Sequence, residues 1–174
     1  MALYFENLSG QPVWVAFAFF DPNSCGPANQ NFRKQGWWQL DRNPRNPAGF
    51  ETSILRFNAW NVDLRTVNRY AYFYAETAND GSSWSGTGNS WLSVNPAAGF
   101  SQCAFENADD PQWVDFYGLD FSSTPAGYDT VVQLFDWAAA TLSQFPGLPR
   151  VQVNAERRDP DTDIIDIIGL PEPG

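Results

Sequence analysis

From Arg69 to Thr77 apolar and polar positions alternate with a period of two, which sets Tyr70, Tyr72 and Tyr74 on one face and Ala71, Phe73 and Ala75 on the other. That period predicts a strand. Asn79-Asp-Gly81 follows it as a hairpin turn, with Ser82 to Ser85 returning as the partner strand. Val13 to Phe20 is apolar on both faces, Val13, Val15, Phe17 and Phe19 against Trp14, Ala16, Ala18 and Phe20, so it is expected as a central strand with a layer on each side. Leu3 to Asn7 precedes it across the turn cluster Leu8-Ser-Gly-Gln-Pro12, which predicts an N-terminal hairpin. Further strands are expected at Phe32 to Leu40, Glu51 to Phe57, Trp91 to Val94, Gln112 to Tyr117 and Thr130 to Phe135, separated by loops in which Pro, Gly and Asn break the ladder.

Val131, Leu134, Phe135, Ala138, Leu142 and Phe145 also fit one helical face, so residues 130–145 read either as one helix or as a strand and then a helix. The second reading ends the strand at Phe135 and starts a short helix from Trp137 to Gln144, capped by Asp136. Residues 146–174 change character: they are rich in Pro and acidic residues and carry one apolar cluster, Ile164, Ile165, Ile167 and Ile168. The expected architecture is all-β, a single antiparallel β-sandwich or barrel-like domain over residues 1–145, with a short helix and a C-terminal extension over residues 146–174. The four isoleucines are the expected docking residues of that extension. They pack either on their own domain or on a second copy of the chain as an added strand, the latter giving a homo-oligomer.

Charged residues make up 17% of the chain, against roughly 25% in ordinary globular domains, while aromatics reach 16%, a balance that favours a rigid, turn-rich β-protein over a helical or disordered one. The net charge of −10 is uneven: Arg69 and Arg150 bracket a stretch without Lys or Arg that holds nine Asp or Glu between Glu76 and Asp136. Such a surface repels phosphate backbones, so nucleic acid is not an expected partner. Histidine is absent from the sequence and Lys34 is the only lysine. The usual general bases, Schiff-base lysines and catalytic triads therefore have almost no players.

The two cysteines, Cys25 and Cys103, are expected as free thiols in a reducing compartment and as a bridge after release from it. A bridge closing such a loop would stabilise the fold by about 4 kcal/mol in the chain-entropy model. Met1 to Leu8 has no basic region, and its apolar run is broken at Glu6, so no secretory signal is expected. No apolar run is long enough to span a membrane as a helix, and no membrane insertion is expected. Cytoplasmic synthesis, with any release by a non-classical route, is the expectation for location.

Four aromatic segments in order, Trp14-Val-Ala-Phe-Ala-Phe-Phe-Asp-Pro22, Gly36-Trp-Trp38, Tyr70-Ala-Tyr-Phe-Tyr-Ala-Glu76 and Trp84-Ser-Gly86, resemble the bacterial family called domain of unknown function 1036. The resemblance spans Leu3 to Phe135. It implies a small, mostly β domain without an established activity. Where members of that family carry a Pro-Gly turn followed shortly by cysteine, this chain has Asn46-Pro-Ala-Gly-Phe50 and no cysteine nearby, so no disulfide pattern carries over.

The same segments supply the candidate binding residues Trp37, Trp38, Tyr72 and Trp84. Adjacent tryptophans on a strand face opposite ways, so one of Trp37 and Trp38 is expected in the core. The other, beside Tyr72 or Trp84, would form a flat platform suited to sugar rings; the alternative is that both are core residues. The function expected on this basis is a non-catalytic binding module for a carbohydrate or another cell-surface ligand. The alternative is a self-assembling subunit joined through the Ile-rich tail. A glycosidase using two carboxylates is third, since twenty Asp and Glu are present but no spacing singles out a pair. No cofactor is expected; the acidic loops Glu76 with Asn79-Asp-Gly81, and Glu106 to Asp110, are the two places where calcium would be sought.

Overall fold

Both faces of Val13–Phe20 are buried because this strand sits in the middle one of three layers. The computed structural model describes residues 3–9, 11–40, 53–57, 69–77, 83–125, 127–135, 151–156 and 164–167. Their strands are β1 (Leu3–Asn7), β2 (Val13–Phe20), β3 (Phe32–Leu40), β4 (Ser53–Phe57), β5 (Tyr70–Thr77), β6 (Ser83–Trp84), β7 (Trp91–Val94), β8 (Phe100–Cys103), β9 (Gln112–Asp115), β10 (Tyr117–Asp120), β11 (Asp129–Leu134), β12 (Val151–Glu156) and β13 (Ile164–Ile167). The first sheet has the order β12-β11-β1-β4-β13. The second runs β10-β5-β2-β3-β8, with β6 also on β5, and a two-stranded ribbon pairs β7 with β9.

The all-β architecture is present, and most pairings are antiparallel. Two are parallel, β1 with β11 and β4 with β13. The main core lies between the two sheets. Leu3 and Phe5 of β1, Val132 and Leu134 of β11 and Val151 meet Val13, Val15, Phe17 and Phe19 of β2, Phe73 of β5 and Leu40 of β3. Phe5 bridges the layers edge-on, with ring centroids 5.2 Å from Phe73 and 6.0 Å from Phe17. A second apolar cluster fills the other side of the second sheet, where Ala16, Ala18, Tyr74 and Phe100 meet Leu92, Val94 and Val114 from the ribbon. Sheet-on-sheet burial of one face and ribbon-on-sheet burial of the other explains the unbroken apolar run of β2.

The expected N-terminal hairpin does not form. β1 joins the first sheet, between β11 and β4, while β2 joins the second, so the chain passes from one layer to the other between Asn7 and Val13. Asn7 fixes that passage: its Nδ2 donates to the carbonyls of Gln11 and Leu40, and its Oδ1 accepts from the N–H and the hydroxyl of Ser9. A buried amide with these partners satisfies backbone groups that a hairpin ladder would otherwise hold.

β5 and β6 pair as expected, Ala75 opposite Trp84 and Glu76 opposite Ser83; the Asn79-Asp-Gly81 turn between them lies outside the described residues. The strand expected from Thr130 to Phe135 is present as β11, one residue earlier at each end, and the Trp137 to Gln144 helix lies outside the described residues. The single strand expected from Gln112 to Tyr117 is divided at Phe116, with β9 in the ribbon and β10 on β5. Residues 146–174, set apart by composition, contribute β12 and β13 to the two edges of the first sheet. Ile164, Ile165 and Ile167 lie opposite Ile54, Leu55 and Phe57 of the same chain, and Ile168 lies outside the described residues.

Candidate functional site

A β-bulge decides where the paired tryptophans go. Between Val15 and Phe17 the register of β2 against β3 shifts, so that Gly36 and Trp37 together oppose Ala16. The extra residue sends Trp38 into the main core and Trp37 to the ribbon side. Gly36 suits this site because a Cβ there would meet the Phe100 ring at 3.0 Å and Ala16 at 3.2 Å.

Trp38 is 8% exposed and Trp84 is 2% exposed, and both pack in the main core. The Trp84 indole donates to the Phe135 carbonyl at 3.0 Å. Neither ring offers a face to a ligand, which corrects their expected role as platform residues: the Gly-Trp-Trp and Trp-Ser-Gly segments set these rings between the layers. Trp37 and Tyr72 lie on the opposite side of the second sheet, half-buried and apart from each other. Trp37 is held edge-on against Tyr74 and Phe100, and its indole donates to the Asn95 carbonyl at 2.8 Å. It borders a cleft of about 270 Å³ with Trp14, Glu76 and Pro96.

Tyr72 borders a different cleft, of about 190 Å³, with Phe32, Trp91 and Phe105. Here the aromatic faces are open: Trp91 is 53% exposed and Phe105 50%. Asn29, Gln30, Asn89 and Ser90 supply the polar lining, and among the described residues no lining side chain is charged. The Gln30 and Asn89 side-chain amides and the Tyr72 hydroxyl have no hydrogen-bond partner among the described residues. Burial pushes the Tyr72 phenol up from its ordinary pKa, with the neighbouring Tyr70 adding to the effect. Trp113, 53% exposed, shares the outer face of the ribbon with Trp91, diagonal to it across the β7–β9 pair.

Both walls of this cleft are fixed by chemistry that leaves the lining rings free. The Phe105 wall is tied three times. Cys25 and Cys103 form a disulfide with Cα atoms 5.5 Å apart, Asn29 Oδ1 accepts from the Phe105 N–H at 2.8 Å, and Lys34 Nζ donates to the Glu106 carbonyl at 2.6 Å. Lys34 also donates to the carbonyl and hydroxyl of Ser93 at 2.7 and 3.0 Å, so its three ammonium protons link the second sheet, the ribbon and the loop after β8. Burial pulls its pKa down to about 8, and the nearby Glu106 charge opposes that shift.

The Trp91 wall rests on Asp115. Its carboxylate accepts from the N–H groups of Gly88 and Ser90, and its carbonyl accepts from the Gly86 N–H at 2.9 Å. Gly86 has no room for a side chain, since a Cβ would lie 2.3 Å from the Phe116 carbonyl oxygen. Gly88 has φ +104°, a conformation that glycine adopts without strain. The loop 85–90 is thereby wrapped round one carboxylate, and the Trp91 indole closes it by donating to the Gly88 carbonyl at 3.2 Å.

Trp91, Phe105 and Trp113 are not among the candidates the sequence offers, because each stands without an adjacent aromatic residue rather than in an aromatic segment. The usable signal is that Trp91 and Trp113 alternate with Leu92, Val94 and Val114, so the two sets occupy opposite faces of the ribbon. Among the described residues no cluster of three Asp, Glu or Cys side chains is close enough to hold a metal ion, and the Asn79-Asp-Gly81 loop lies outside them. No family model, no curated protein and no solved structure matches the chain.

Proposed function

We propose that the chain is a non-catalytic binding module that takes a carbohydrate in the cleft between Trp91 and Phe105. The observation that carries this reading is the exposure of those two rings on rigid walls above a half-buried Tyr72, with amides between them. Concave sites that mix aromatic faces with a few fixed polar groups are the usual form of small-ligand sites, and rigid walls lower the ordering cost of binding. Among the described residues the lining carries neither Asp and Glu nor Lys and Arg, and a binding role does not call on the carboxylate pair that glycoside hydrolysis needs. The resemblance to the domain of unknown function 1036 family is compatible with this reading, since it implies a small β domain and no activity.

Removal of a stacked aromatic costs about 1–3 kcal/mol by analogy with base stacking on aromatic platforms. Trp91→Ala is therefore expected to weaken glycan retention on an array while leaving the fold intact, because its ring lies outside both apolar clusters. A wild-type protein that retains no glycan, or a Trp91→Ala variant that binds as well as wild type, would overturn the proposal.

A further inference from the structure

The chemistry of the cleft narrows the ligand class, and the narrowing rests on the binding-module reading above. We infer that the cleft selects an uncharged pyranose residue of a glycan, stacked on Trp91 and held through its hydroxyls by Gln30, Asn89 and Tyr72, and that it discriminates against acidic sugars.

Three observations lead there. First, among the described residues every lining side-chain polar group is an amide or a hydroxyl, each able to donate and accept, which matches sugar hydroxyls and gives a carboxylate or sulfate no cation there to pair with. Second, the cations closest in sequence are already engaged. Arg33 pairs with Asp21 at 3.1 Å and donates to Ser101, and Lys34 is fully buried with three acceptors around its ammonium. The net charge of −10 adds a long-range repulsion against anions. Third, a volume of about 190 Å³ is below the roughly 300–1,000 Å³ of sites for drug-sized ligands, so the cleft accommodates one ring rather than a chain. The ring's apolar face meets the Trp91 indole and its hydroxyl rim meets the amides. Tyr72, whose phenol burial keeps protonated, donates or accepts from the floor.

The test is an array carrying neutral, sialylated and sulfated glycans, followed by calorimetric titration of the best hit with wild type, Trp91→Ala and Tyr72→Phe, each checked for an unchanged melting temperature. The expected result is retention of neutral glycans, loss of at least about tenfold in affinity with Trp91→Ala, and an affinity that does not change between low and high salt, since a neutral ligand has no charge to screen. Retention of only sialylated or sulfated glycans, still lost with Trp91→Ala, would overturn the neutral-sugar inference and leave the binding module standing. Retention of no glycan at all would overturn both.

Discussion

Asn29 and Phe105 are joined by a 2.8 Å hydrogen bond from the Phe105 N–H to the Asn29 side-chain oxygen, across 76 positions of sequence, and the Cys25–Cys103 disulfide brackets the same contact. The loop after β2 and the turn after β8 are thus one wall. Breaking the bridge is expected to act twice. It releases a loop closed over a separation of 78 residues, costing about 4 kcal/mol of stability in the chain-entropy model. It also frees the turn that carries Phe105, so that affinity falls in the reduced protein or in Cys25→Ser/Cys103→Ser. Denaturant unfolding and glycan titration with and without dithiothreitol measure the two effects; unchanged affinity after reduction would show that Asn29 and Lys34 hold the wall alone.

At Gly86 the space is closed by backbone rather than by a movable side chain, since the Phe116 carbonyl lies 2.3 Å from where a Cβ would be. Gly86→Ala is expected to cost about 1–3 kcal/mol or more, as overpacking does, and to shift the 85–90 loop that presents Asn89 and Trp91. A chemical-denaturation midpoint equal to wild type would contradict the packing described for this loop.

Lys34 gives a pH dependence that one resonance reports, because it is the only lysine. Its pKa is lowered from 10.5 to about 8 by burial, so between those values the unfolded chain binds the proton that the folded chain has released. Stability therefore rises with pH across that window, as the cost of the buried charge is relieved. Burial raises the Tyr74 phenol to about 12, with the Glu76 charge acting in the same direction, and Tyr72 is also raised. Above pH 10 the unfolded chain releases those phenol protons first and stability falls again. NMR titration of protein labelled only at lysine should show a midpoint near 8; a midpoint at 10 or above would show a solvated ammonium.

Strands with strict alternation or clear turn residues at their ends were legible from the sequence: Phe32–Leu40 and Trp91–Val94 fall where expected, and Tyr70–Thr77 within one residue. Pairing was not. β1 finds β11, placing Glu6 beside Gln133 at a separation of 127 positions, and a turn cluster after Asn7 says only that the chain bends, not which layer it enters. Val151–Glu156 does alternate, but within an acidic, Pro-rich context it reads as a tail, and its place beside β11 is a long-range choice. The same limit applies to the cleft. The aromatic segments drew attention to Trp38 and Trp84, which belong to the core, whereas exposure of Trp91 depends on which face of a two-stranded ribbon the second sheet covers.

β13 extends the first sheet by pairing with β4 of the same chain. Deleting residues 159–174 is thus expected to lower the melting temperature while light scattering gives an unchanged number of chains per particle. A halved mass with an unchanged melting temperature would instead place the tail between copies of the chain.

Indole N–H resonances test the central claim most directly, because Trp91, Trp37 and Trp84 lie respectively at the aromatic cleft, at the second cleft and in the core. In a titration of ¹⁵N-labelled protein with the neutral glycan that binds best, the Trp91 resonance should move with saturating dependence on ligand while those of Trp38 and Trp84 stay in place. Saturating shifts at Trp14 and Trp37 with Trp91 unmoved would put the ligand in the other cleft and contradict the account.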